Sequence, residues 1–158
     1  MNALVVTGAP PAGLGARAAA VHEVLLGRTL AVARGAVERV EVVVAAGAAL
    51  ELGRGPLLVL PAICPRLGSA HVAAALADLE AGCDAAYGPT LEGDWYLAAL
   101  AQPRAELLSR NPFTVAREHD AEVGLLRHER ALRTTADAAA FLADPLTPAD
   151  VRAALSAA

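Results

Sequence analysis

Hydrophobic positions along the chain fall into two kinds of run. Ala3 to Thr7, Val40 to Ala45 and Leu57 to Leu60 are short, nearly continuous apolar stretches, two of them valine-rich, the signature of strands covered on both faces. Between and after them the spacing lengthens to a helical period. From about Ala16, Val21, Leu25 and Leu26 share one face while Arg17, His22, Glu23 and Arg28 lie elsewhere, which predicts a helix running to about Ala33 or Ala36. Val72, Leu76 and Leu79 repeat that spacing behind an expected N-cap at Ser69, and Gly82 stops the run. Asp84 to Tyr87 and Trp95 to Leu100 read as two further strands, joined by a Gly- and Pro-punctuated hairpin-like connection, Gly88 to Asp94. Beyond Pro103 the pattern is mostly helical. Phe113 to Arg127 is expected as its longest segment, followed by a short strand around Ala131 to Thr134 and closing helices near Asp137 and Pro148.

Strands alternating with helices predict an α/β fold, a three-layer α/β/α arrangement around a mainly parallel sheet. On such sheets ligands bind beyond the carboxyl ends of the strands, where the loops emerge. The 158 residues fit one domain, 1–158, and 56% hydrophobic content with only 3% aromatics means a core of Ala, Val and Leu. A net charge of −4 and singly scattered arginines provide no basic field, which sets nucleic acid aside as a partner. No apolar stretch approaches the roughly 20 residues of a membrane span, and no secretory signal pattern opens the chain, so a cytoplasmic location without membrane is expected. Cys64 and Cys83 lie far apart without ligand-spaced neighbours and are expected as free thiols. His22, His71, His119 and His128 have no metal spacing and read as surface residues. Glu118-His119-Asp120 reads as a solvated face, because consecutive helical residues diverge.

Three loops at the expected ligand edge carry candidate chemistry. Gly8 to Arg17 joins a strand to a helix, so its amides and the helix start suit a diphosphate, with Arg17 adding charge. Ala9, Pro10, Gly13, Gly15 and Arg17 are the candidate nucleotide-binding residues there. The loop lacks a dinucleotide fingerprint and a P-loop lysine, and an ordinary glycine turn explains it equally well. The second loop, Leu60 to Gly68, is apolar around Ile63. In the third, Glu92 and Asp94 sit on one tight turn beside Trp95 and Tyr96, as candidate catalytic acids facing a sugar or base, or as solvated loop acids.

These segments, together with Leu132 to Leu142, resemble successive motifs of a bacterial glycosyltransferase-like family, the selenodomain-associated transferase 1 group. Its members have a GT-A-like nucleotide-diphospho-sugar transferase fold and are similar to phospholactate guanylyltransferases. Their pattern runs Gly-Ser-Asp-Cys-Pro, then Gly-Pro-Ala-Glu-Asp-Gly-Gly-Tyr-Tyr-Leu, then Asp-Val-Asp-Thr-Pro-Glu-Asp-Leu. Cys64, Pro65, Leu67, Gly88, Pro89, Gly93, Tyr96 and Leu97 match, Glu92 replaces an Asp, and Asp137 stands for the second Asp of the last motif. Departures fall on the functional positions: Ile63 replaces the first metal-type Asp, Asp94 replaces a glycine, and Thr135 replaces the first acid of the final pair. Ala16-Arg17-Ala18 stands in for Lys-Thr-Arg, and the stretch from Ala46 to Gly55 is shorter than the family's.

The resemblance implies a nucleotide or nucleotide-sugar ligand, with Gly93 and Tyr96 among the binding residues and Asp137 as a metal ligand. Mg²⁺ or Mn²⁺ is the implied cofactor, weakened because Ile63 offers no oxygen to a hard cation. The expected function is a glycosyltransferase-like protein with a degenerate metal site. The alternatives are a non-catalytic nucleotide- or partner-binding descendant and a guanylyltransferase-like nucleotidyltransferase.

Overall fold

The structure, a computed structural model, describes residues 1–45, 55–109 and 111–157. Six strands, β1 (Asn2–Val6), β2 (Arg39–Val43), β3 (Leu57–Pro61), β4 (Ala85–Pro89), β5 (Trp95–Leu100) and β6 (Val123–Leu125), form one sheet in the order β2-β1-β3-β5-β4-β6. β1 pairs in parallel with β2 and β3, and β4 in parallel with β6. β5 runs antiparallel to both β3 and β4, because the tight Thr90–Asp94 turn sends the chain straight back. Val6 lies opposite both Val43 and Pro61, so the loops after β1 and β3 leave from the same edge, as the sequence predicts. The expected shortened stretch falls largely on residues 46–54, outside the described residues.

The continuous apolar runs of β1, β3 and β5 are explained by burial on both faces, whereas Val40 to Ala45, expected to be covered in the same way, supplies the edge strand β2 and leaves Val42 and Val44 exposed. Leu57 to Leu60 and Trp95 to Leu100 are all buried, and alternate side chains feed two cores. One face, with Ala3, Val5, Leu58, Leu60 and Ala99, is covered by α1 (Ala18–Ala36) and α2 (Ser69–Glu80). The other, with Leu4, Val59, Tyr87 and Leu100, meets Leu107 on a 3-10 turn (Ala105–Leu108) and Val115 on α3 (Pro112–Glu118). α4 (Thr135–Ala143) and α5 (Ala149–Ser156) close a third cluster against α1 through Leu132, Phe141, Val151 and Leu155. An Arg28–Asp150 ion pair at 3.0 Å ties α1 to α5 at the surface.

Several expected elements are corrected. The helix expected over Phe113 to Arg127 ends at Glu118; Asp120 adopts a positive φ of 47°, and Val123–Leu125 becomes β6. Hydrogen bonding to the open edge of β4 outweighs the helical period there. Ala131 to Thr134 forms no strand. Its Leu132 N–H donates instead to the Ile63 carbonyl at 2.8 Å, while Ala131 and Leu132 are buried. Gly68 rather than Ser69 is the N-cap of α2, and His71 takes over the capping role by accepting the Gly68 N–H at Nδ1 (3.2 Å). His71 is therefore buried, not a surface residue.

Candidate functional site

The carboxyl edge of the parallel strands gathers four loop segments. The loop after β1 packs on the chain that leads into α4: a Cβ at Gly13 would lie 3.0 Å from the Arg133 carbonyl oxygen and 3.3 Å from Thr134 Cα. Glycine is what permits that approach. The loop after β3 joins the same segment through the Ile63–Leu132 hydrogen bond, and the β4–β5 turn joins it through Asp94 and Arg133. Ala9, Pro10, Gly13, Gly15 and Arg17 are all exposed along the first loop, where Gly8 and Gly15 hold positive φ.

Asp94 is clamped. Arg133 donates to it from Nη2 at 2.7 Å and from Nη1 at 3.3 Å, and the Thr90 hydroxyl donates to Oδ1. Glu92 and Gly93 are exposed on the same turn, and together with Asp94, Asn111 and Arg133 they line a cavity of about 160 Å³. Asn111 uses its Oδ1 to cap α3, accepting from the Phe113 and Thr114 amides.

Asp137 accepts hydrogen bonds on both carboxylate oxygens. Arg130 Nη1 donates to Oδ1 at 3.1 Å; Oδ2 accepts from the Arg133 and Thr134 amides and the Thr134 hydroxyl. Thr134 reciprocates by accepting the Asp137 amide, completing a capping box at the start of α4. Burial opposes ionisation of this carboxyl, but the hydrogen bonds from Thr134, the Arg133 amide and Arg130 together outweigh it and hold its pKa below the ordinary value. Ile63 is packed against the core cluster that contains Tyr96 and Leu67.

Tyr96 is fully buried, its hydroxyl donating to the Arg127 carbonyl at 3.1 Å and its ring crossing the His71 ring edge-on at 5.5 Å. Its side chain is enclosed in the core rather than exposed to a ligand. Cys64 is buried, and desolvation pushes its thiol up to about 12. Both cysteines are free.

Sequence reasoning missed the partners of these acids, Arg130 and Arg133, because ion pairs 7 and 39 residues apart leave no local pattern. It also missed a network that joins buried His71 and Glu129 to the exposed Arg127. His71 Nδ1 accepts from the Gly68 N–H, its Nε2 lies 3.3 Å from Glu129 Oε1, and Arg127 Nε reaches both that oxygen (2.7 Å) and His71 Nε2 (3.2 Å). Both imidazole nitrogens are thus occupied, and the network ties α2 to the segment after β6.

Among the described residues, no three His, Cys, Asp or Glu side chains cluster as a cation site. No helix among them is long and apolar enough to cross a membrane.

No protein-family model matches the chain, and no curated protein matches it in sequence. A solved structure does match: a "putative nucleotide-diphospho-sugar transferase" from Desulfovibrio desulfuricans G20, with a TM-score of 0.67 and 14% identity over 98% of this chain and 93% of that one. The shared feature is the α/β fold across nearly the whole of both chains.

Proposed function

We propose that the chain is a transferase-like protein that binds a nucleotide diphosphate or nucleotide-diphospho-sugar at the carboxyl edge of its sheet, without depending on a divalent cation. The observation that carries this reading is the closure of the acids by arginines: Asp94 by Arg133 and Asp137 by Arg130. A hard cation needs several unengaged oxygen ligands, and the donor set present does not fit one. The Ile63 side chain supplies none, and Asp137 already accepts three hydrogen bonds on Oδ2 at the α4 cap and one from Arg130 on Oδ1. The fold match supports a nucleotide-sugar ligand by analogy of architecture.

In this reading the first loop, from Ala9 through Gly13 and Gly15 to Arg17, receives the diphosphate, and the Glu92–Gly93 turn faces the sugar. Glu92 is the acid free to act as a general base, being exposed and without an ion-pair partner among the described residues. Asp94 acts through its grip on Arg133. A second reading, a non-catalytic nucleotide-binding descendant, is favoured by the same observation, since two of the three expected acids are already neutralised.

Calorimetric titration with UDP, GDP and their sugar conjugates, in EDTA and in Mn²⁺, tests the proposal. Micromolar to millimolar binding that Mn²⁺ strengthens less than about threefold is expected, on the scale where tenfold is 1.4 kcal/mol. Strong Mn²⁺-dependent tightening would contradict it. Release of sugar or nucleotide during incubation, abolished by Glu92→Gln, separates the transferase reading from the non-catalytic one.

A further inference from the structure

We infer that Arg133 is the residue that takes the phosphoryl oxygens of the ligand, through the N–H donors that its pairing with Asp94 leaves free; this rests on the nucleotide reading above. Three independent contacts hold Arg133 in place. Its main-chain N–H donates to Asp137 Oδ2 at 3.2 Å, its carbonyl lies against the Cβ-less face of Gly13, and its guanidinium is clamped by Asp94. The residue therefore stands where the first loop, the β4–β5 turn and the start of α4 meet.

The clamp leaves the recognising chemistry intact. A guanidinium carries five N–H groups in a rigid fork, and the Asp94 pair consumes one on each Nη. The Nε–H and the outer N–H of each Nη remain, with no partner among the described residues, and the side chain is one-third exposed beside the cavity shared with Asn111 and Glu92. An arginine held by a carboxylate on one side and open on the other loses little rotamer freedom when an anion arrives. Phosphate suits the fork, since each of its oxygens accepts a charge-assisted bond. Asp94 is accordingly a positioning residue.

The test is titration of UDP and of pyrophosphate in EDTA at fixed ionic strength, into the full chain and its Arg133→Ala and Arg133→Lys variants. Because Arg133→Ala leaves Asp94 unpaired, an Asp94→Ala/Arg133→Ala double variant is measured alongside, and each protein's fold is checked by circular dichroism. Arg133→Ala and the double variant are expected to weaken both ligands at least tenfold, with Arg133→Lys in between because it keeps charge but loses the fork. Equal affinity of the folded double variant and the wild type for UDP would overturn the role of Arg133 and leave the cleft reading standing. Failure of the unmodified protein to bind either probe would overturn the cleft reading and this inference with it.

Discussion

Asp137 is the side chain on which the most hydrogen bonds of the site converge, and its environment fixes the pH behaviour of the α4 junction. Its carboxyl is held below the ordinary pKa in the folded protein. A depressed acid contributes stability that is fully present above its unfolded value, near 3.9, and is lost as pH falls through the folded value. Asp137→Asn should therefore cost about 1–3 kcal/mol at pH 7, through a weakened cap and an unpaired Arg130, and less at a pH low enough to protonate the carboxyl in the folded protein. Urea unfolding at the two pH values measures this; an equal cost at both would show that the charge is immaterial. A second residue-scale expectation concerns the thiols. With its pKa near 12, buried Cys64 should stay unreactive toward a thiol reagent at pH 8 in the native protein, both cysteines titrating after unfolding without reductant.

The β4–β5 hairpin is the element that couples core and site. Gly88 lies against Tyr96 so closely that a Cβ would fall 2.4–2.8 Å from its ring atoms, and Tyr96 in turn holds the Arg127 carbonyl. Gly88→Ala should force the ring aside and cost about 1–3 kcal/mol, the usual penalty for overpacking, with altered chemical shifts at Arg127. Unchanged stability would mean that the ring relocates freely. This hairpin was legible because Gly88, Pro89 and Gly93 punctuate two apolar runs. β6 was not: Val123-Gly124-Leu125 is too short to show a period, and its strand state depends on the edge of β4. The N-cap of α2 falls at Gly68 rather than Ser69 for a similar reason, since the cap is made by an imidazole three positions into the helix rather than by a hydroxyl.

At the scale of the whole molecule, the parallel sheet and the edge at which its loops gather follow from the spacing of apolar runs. The layers were readable because strands buried on both faces can hardly be anything but apolar throughout. The site was readable only in outline. Glu92, Asp94 and Asp137 stand out as acids in loops or at a helix start, but what they do is decided by arginines brought in from across the fold. The central claim is that the carboxyl edge, and no other face, receives a nucleotide diphosphate with no metal present. Amide chemical-shift mapping of the isotope-labelled protein during UDP titration in EDTA tests it most directly. Perturbations concentrated at Gly8 to Arg17, Gly93 and Arg133 are predicted. Shifts confined to the apolar groove between α1 and α2, around Ala31, Val32 and Val72, or no shifts at millimolar UDP, would contradict it.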